Sequence, residues 1–351
     1  MTFSVKLLPL ELLSEHLLYL IIMANLETTY LGLTLRNPLV AASSGLTGTE
    51  GKIRELADAG IGAIVLKSIF EEQINGEIGE MLDQSGRGND YPEAEYYIQN
   101  YVRHNSLSKY TSLVSFAKRE TGVPVIASVN CVSVSEWFSF ARELEEAGAD
   151  AIELNVFYLP VKRNQEPAEV ERIYTDVVRA VKAEVKIPVA VKIGSHFTHI
   201  VGMVEKLKAN GASGVVMFNR FYEPDIDLDK LEIKASEVFS SPAELRHTLR
   251  WVGLVSSQVP RIDIAATTGI HDSQGVIKQL LAGATVTQLC SALYLHGTPV
   301  ISTILEELAQ FMDKWSFSTI GEFRGRLSYS KLGDPMIYER SQFMKYYSNR
   351  K

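Results

Sequence analysis

Polar side chains recur at the downstream ends of otherwise apolar runs along this chain. They are Ser43 and Ser44, Lys67 and Ser68, Asn130, Asn155, Lys192, Asn219, the Thr267-Thr268-Gly269 triplet, and Ser291. One Lys or Asn at the end of a strand is ordinary, because strand ends are where the chain meets water. Two lysines and three asparagines at successive ends carry more meaning. If the runs share one sheet, two ammonium groups and three carboxamides converge on one mouth. Such a cup is electropositive and suits an anionic heteroaromatic ligand. Carboxamides both donate and accept, matching the alternating C=O and N–H edge of a pyrimidine-like ring. A lysine beside that ring would stabilise negative charge developing on it. Thr267-Thr268-Gly269 and Cys290-Ser291-Ala292 each lead toward a helix. Outward-pointing backbone N–H groups there favour a phosphate-sized anion, and Thr and Ser acting as plain N-caps are the simpler alternative.

The elements that would position these residues repeat. Short apolar runs fall at Leu39–Ser43, Ala63–Lys67, Val123–Asn130, Ala151–Asn155, Val189–Ile193, Gly214–Asn219, Ile262–Ala266 and Thr285–Leu289. Their lack of polar alternation marks parallel strands buried on both faces. Helical stretches separate them: Glu50–Ala59, Ser106–Thr121, Ser135–Ala147, Pro167–Val185, Thr198–Asn210, Ala243–Gln258 and Asp272–Ala282. Several end in Ala-Gly or Asn-Gly just before the next strand, as at Ala59-Gly60, Ala147-Gly148, Asn210-Gly211 and Ala282-Gly283. A left-handed glycine there lets the helix stop and the chain turn back. Eight strand–helix units predict an α/β fold, a (β/α)₈ TIM barrel. An open doubly wound sheet is disfavoured, because Gly45 and Gly48 do not form its G-x-G-x-x-G turn. Rim insertions interrupt the spacing after strand 2 (Phe70–Asn105) and after strand 6 (Arg220–Ser241). Both would overhang the catalytic mouth as substrate lids.

The bulk numbers narrow the function classes. The 351 residues are 46% apolar and 22% charged, with a net charge of −7. An acidic chain without Lys/Arg runs argues against a nucleic-acid partner. Two cysteines, Cys131 and Cys290, fit neither a disulfide framework nor an iron–sulfur cluster. No Cys/His spacing points to a metal, and His196 and His199 read as solvated or capping residues. A reduced, cytoplasmic compartment is expected. Residues 1–23 are rich in Leu and Ile but interrupted by Pro9, Glu11, Glu15 and His16. No clean span of about 20 apolar residues exists there, so membrane contact is not expected. The segment reads as an apolar extension upstream of a start at Met23, leaving 24–351 as one barrel domain.

With these residues in hand, the chain resembles the dihydroorotate dehydrogenase family from about Leu31 to Gly297. Gly32 through Asn37-Pro38 to Ala42-Ser43 is similar to that family's entry into its first strand. Lys67-Ser68, Asn130, Glu153-Leu-Asn155, Lys192, Asn219, Gly269-Ile270 and the Ala282–Gly297 stretch match its motifs. The resemblance implies an FMN-dependent oxidoreductase of CH–CH bonds, passing hydride between flavin N5 and dihydroorotate or a related cyclic substrate. It implies FMN contacts at Ser43, Ser44, Lys67, Ser68, Asn130, Asn155, Lys192, Asn219, Thr268, Gly269 and Ser291. Lys67, Asn155 and Asn219 would also hold the substrate. A small-molecule substrate, a separate electron acceptor and a homodimer are the expected partners.

Three departures bear on chemistry. The family's "N-x-S-[C/S]-P-N" stretch supplies its base, and here it reads Asn155-Val-Phe-Tyr-Leu-Pro160, with Tyr158 at the base position. The "N-S-x-G-L-P-N" loop has no counterpart in Phe70–Asn105. The phosphate loop "G-x-G-G" survives as Ala266-Thr267-Thr268-Gly269. A phenol titrates near ~10, so Tyr158 is a ready acid and becomes a base only beside an ammonium such as Lys67 or Lys192. It could equally pack on the ligand without moving a proton. Catalytic roles are therefore placed on Tyr158 and Lys67. An ene-reductase or another dihydropyrimidine dehydrogenase on the same scaffold stays open. So do a flavin-free lyase or isomerase using a lysine Schiff base on a sugar phosphate, and a non-catalytic flavin-binding relative.

Overall fold

Runs such as Val189-Ala-Val and Gly214-Val-Val-Met leave no face for water, so each must be covered on both sides. In the computed structural model, which describes residues 24–85, 92–130, 134–220, 223–334 and 336–339, a closed barrel provides that cover. In chain order the strands are β1 (Thr28–Tyr30), β2 (Leu33–Leu35), β3 (Leu39–Ala41), β4 (Ala63–Val65), β5 (Ile69–Phe70), β6 (Val125–Asn130) and β7 (Ala151–Asn155). They continue with β8 (Val189–Ile193), β9 (Gly214–Met217), β10 (Pro224–Asp227), β11 (Glu232–Ala235), β12 (Asp263–Ala266) and β13 (Val286–Leu289). The parallel order β4-β3-β13-β12-β9-β8-β7-β6 closes where β4 meets β6, with Ile64 opposite Val125 and Val65 opposite Ile126. The expected (β/α)₈ barrel is the fold, and each of its eight strands lies within a stretch read from the sequence. The 1–23 extension, Cys131, Phe221 and Tyr222 lie outside the described residues.

Helices wrap the barrel: α1 (Glu50–Asp58), α2 (Glu71–Ser85), α3 (Pro92–Thr121), α4 (Val134–Glu146), α5 (Pro167–Glu184), α6 (Ile200–Ala209), α7 (Leu245–Gln258), α8 (Ser273–Ala282), α9 (Ser291–His296) and α10 (Pro299–Lys314). Their apolar stripes recur at helical spacing. In α5, Val170, Tyr174, Val177, Val178 and Val181 are buried, the periodicity of a helix laid on a sheet.

The barrel floor was not read from the sequence. Strands β1 and β2 form an antiparallel hairpin that drives Tyr30, Leu31 and Leu35 into the barrel end. Ala63, Ala151, Ala190 and Ala265 face them, and these small residues leave room for the buried Tyr30 ring. Gly214 serves the same end, since a Cβ there would fall 2.6 Å from Leu31 Cδ2. The Leu31 N–H donates to Asp263 Oδ2 at 2.7 Å, and Thr285 Oγ1 donates to Asp263 Oδ1 at 3.2 Å.

The described residues of the two inserts include regular elements as well as loops. The first becomes β5, α2 and a long extension of the expected Ser106–Thr121 helix back to Pro92, a residue favoured at a helix's first turn. The second forms the β10–β11 hairpin, with Ile226 opposite Ile233.

The entry to β3 rests on Asn37, whose Nδ2 donates to Gly60 O at 2.8 Å and whose Oδ1 accepts from Leu39 N at 3.1 Å. The side chain is buried. Asn37→Ala strands both backbone groups and is expected to cost about 1–3 kcal/mol. Urea unfolding checks this, and an unchanged midpoint would contradict it.

Candidate active site

Strand alternation decides what reaches the mouth. Ile126, Ala151, Ala190 and Val286 belong to the barrel interior. Two residues further along, the same inward face carries Ser128, Glu153, Lys192 and Gln288, and two beyond that Asn130 and Asn155. The barrel therefore changes from apolar floor to polar mouth over about four residues of strand.

Above this polar face lies a cavity of about 560 Å³. Of the residues expected from sequence, Ser43, Lys192, Asn219, Thr268, Gly269 and Ser291 line it. Asn155 stands beside it, with its Oδ1 accepting from Asn219 Nδ2 at 2.9 Å. Asn130 is half-buried at the end of β6, opposite Phe70 of β5. Ser44 caps the short 3₁₀ turn Gly45–Thr47, its Oγ accepting from Leu46 N.

Lys67 and Ser68 line a second cavity of about 320 Å³, bounded by β5, α2 and α3. A chain of hydroxyls joins the two cavities. Ser43 Oγ lies 3.0 Å from Ser68 Oγ, which lies 2.7 Å from Ser128 Oγ. Tyr110 OH seals the far end, donating to Ser128 O and accepting from Ser128 N.

Tyr158 lines neither cavity. It packs half-buried against the outer core, and its hydroxyl donates to Gln165 Oε1 at 2.9 Å. Its backbone N–H donates to Tyr174 OH at 3.4 Å.

Of the two expected helix starts, the second holds, with α9 opening at Ser291 after Cys290, whose side chain makes no cap hydrogen bond, and the first does not. Helix α8 begins only at Ser273, and Asp272 already caps it by accepting from Gly275 N at 2.8 Å. The loop before it is tightly bent, with Thr268 and Gly269 at φ of 73° and 76°. Gly269 N donates to Ser240 Oγ at 3.3 Å, and that oxygen lies 3.1 Å from both Ser291 Oγ and His271 Nε2. Three polar groups, Gly269 N, Ser291 Oγ and His271 Nε2, thus surround the Ser240 hydroxyl. Gly269 has no room for a side chain, since a Cβ would meet Leu245 N at 2.3 Å.

The electrostatics sort the site. Glu153 is fully buried, and burial pushes its carboxyl up while the Lys192 charge and the Gln288 hydrogen bond pull it down. Burial likewise raises the Cys290 thiol, opposed by Lys192 and Ser44. Burial lowers His271, favouring its neutral form.

The sequence profile of the dihydroorotate dehydrogenase family matches residues 25–312. The chain belongs to that family. It is an oxidoreductase acting on a CH–CH bond. It is 27% identical over 309 residues to the catalytic subunit of dihydroorotate dehydrogenase B (NAD(+)) of Thermoplasma acidophilum, covering 86% of this chain and 99% of that one. The Thermoplasma volcanium counterpart is 28% identical over 309 residues, 86% of this chain and 98% of its own. A putative dihydroorotate dehydrogenase A (fumarate) of Aeropyrum pernix is 27% identical over 317 residues, 86% and 97% of the two chains.

Several residues at the site were missed from sequence. Glu153 was named only within a motif match and Gln288 not at all, although each is a polar residue on the inward parity of an otherwise apolar strand. Ser240 and Arg220 were named only as parts of the second insert, and His271 gave no local signal. Arg220 holds the second insert down through Glu244 Oε2 at 3.2 Å and Val238 O at 3.0 Å, and only the fold brings these together.

Gly269→Ala would need a left-handed alanine and a shift of the Leu245 backbone. It is expected to weaken retention of any phosphate-bearing ligand at least tenfold, about 1.4 kcal/mol. Equilibrium dialysis against FMN measures it, and unchanged affinity would remove the loop from the anion site.

Proposed function

We propose that the chain holds FMN across the barrel mouth and passes hydride between flavin N5 and a cyclic, carboxylate- or pyrimidine-like substrate. The observation that carries this reading is the 560 Å³ cavity, lined by Lys192, Asn219, Thr268, Gly269 and Ser291 among others. The donor set fits the cofactor. Gly269 N, Ser291 Oγ and His271 Nε2 already gather around the Ser240 hydroxyl, a polar cluster that a terminal phosphate would engage. Lys192 would face the ring, with Ser43, Ser44, Asn130, Asn155 and Asn219 supplying further contacts, and Lys67 and Ser68 the second-cavity side. When bound, FMN would supply hydride chemistry, and the protein would supply orientation and charge.

The residues of the chain have distinct parts in this proposal. Lys192 places a fixed positive charge where negative charge would develop. Asn155 and Asn219, locked together by their 2.9 Å hydrogen bond, present a rigid amide edge to the substrate. Lys67 offers an ammonium from the second cavity to a substrate carboxylate. An electron acceptor from outside the chain closes the cycle. NAD(+) and fumarate appear in the names of the relatives for those enzymes.

One observation favours a substrate other than dihydroorotate itself. The sequence after β4 builds helices where the family's substrate loop is expected. Meanwhile the 156–160 loop turns its phenol toward Gln165. We assign Tyr158 to fastening that loop, with proton transfer open to it only once its hydroxyl leaves Gln165.

Anaerobic mixing of the FMN-loaded protein with dihydroorotate tests substrate and cofactor together. The flavin band is expected to persist with dihydroorotate and to bleach with a different cyclic donor. Bleaching by dihydroorotate within seconds would restore the family substrate. Tyr158→Phe is expected to keep turnover within about fivefold, and a loss of about a hundredfold would make it the acid or base.

A further inference from the structure

Glu153 has no place in the hydride-transfer reading above, yet it lies directly beneath it. It sits on β7 in the dry polar layer, fully buried, with Oε2 accepting from Gln288 Nε2 at 2.6 Å. Its second oxygen, Oε1, has no hydrogen-bond partner among the described residues, and neither does Gln288 Oε1. Asn155 is register-paired with Lys192 and Glu153 with Ala190, so Glu153 lies one inward layer below Lys192 on the neighbouring strand. Gln288 and Lys192 both line the large cavity. The cavity floor is thus a carboxylate, a carboxamide and an ammonium stacked across β7, β13 and β8.

We propose that Glu153 is the proton-accepting counter-charge of Lys192, keeping the cavity floor neutral before and after two electrons arrive above it. This rests on the flavin reading for the identity of the electron carrier. A buried carboxylate with a bare oxygen stays ionised only while a cation stands close. Lys192 is that cation. When negative charge appears in the cavity, Lys192 is shared with it, and the carboxylate takes a proton.

The balance closes. Before reduction the ring is neutral, Lys192 is +1 and Glu153 is −1. A hydride from the substrate brings two electrons and one proton to the ring, leaving it a monoanion. One solvent proton then adds to Glu153, so the sum is again zero. A low-dielectric floor makes such neutrality worth having, since an extra buried charge is costly.

The other titratable groups facing this cluster cannot take that part. Tyr30 approaches from the floor side, and burial, Glu153 and Asp263 all raise its phenol. Burial is also the main cause holding the Tyr110 phenol protonated, and Glu153 adds to it. Cys290 feels Lys192, but burial keeps its thiol protonated. Each of these three is neutral already and has no proton to gain. Burial drives Glu153 toward its acid form, and the Lys192 charge opposes it. That is the balance a proton acceptor needs.

The test is a redox titration of the FMN-loaded protein against pH, for wild type and Glu153→Gln. The glutamine keeps the acceptor for Gln288 and removes the proton site. Wild type should take up two protons per two electrons over a pH interval above the ordinary carboxylate range, and Glu153→Gln only one throughout. Equal proton uptake in both proteins would overturn the proposal. A second measurement needs no flavin. The carboxylic-acid C=O stretch of Glu153, followed by infrared spectroscopy in the unloaded full chain, should move its titration upward in Lys192→Met. A titration unmoved by Lys192→Met also overturns the proposal, even if Glu153→Gln does not fold. Failure to retain FMN would defeat the flavin reading alone, because the infrared titration still reports the Glu153–Lys192 coupling.

Discussion

Side chains pointing into a closed eight-stranded barrel have no access to water until they reach a rim, and the rest of this structure follows from that restriction. The interior must be filled in layers, and each layer must satisfy its own polar groups. Here the lower layers are Val, Ile and Ala sealed by Tyr30, and the next holds Ser128, Glu153 and Gln288. Lys192, Asn130 and Asn155 stand at the mouth. A polar layer in so dry a place needs partners. Gln288 supplies one to Glu153, and Tyr110 supplies two to the Ser128 backbone. The chemistry of the mouth is positioned from below by these buried bonds.

Much of this was legible in the sequence, for a physical reason. Strands buried on both faces advertise themselves as unbroken apolar runs, and the polar residue that ends each run marks the mouth. That logic placed Lys192, Asn219, Gly269 and Ser291 on one cavity. It placed Lys67 and Ser68 on a neighbouring one, joined to the first by the Ser43–Ser68 hydroxyl contact. Of the two helix starts expected from sequence, the one at Ser291 is present, and the other begins only at Ser273, beyond the left-handed Thr268-Gly269 turn, with Asp272 as its cap. Ser240 and Arg220 were legible only as parts of an insert, since their partners lie 18 to 51 residues away and only tertiary packing joins them.

The inserts are where this chain departs from a plain barrel. Family membership rests on residues 25–312, a span dominated by the barrel. The rewritten stretches are confined to the rim: α2 with the first turns of α3, the β10–β11 hairpin, and the 156–165 loop. Tyr174 and Gln165 both hold Tyr158, so this loop is fastened at two points.

The floor hairpin sets an order of events during synthesis. Its Leu31 N–H waits for Asp263, 232 residues later, and Asn25 N–H waits for Ser318 O. These two N–H groups therefore find their partners only when nearly the whole chain has followed. Contacts this distant in sequence form late and slowly. Tyr30, Leu31 and Leu35 remain exposed apolar groups for most of the protein's assembly, and the last strands to be made are the ones that put them away.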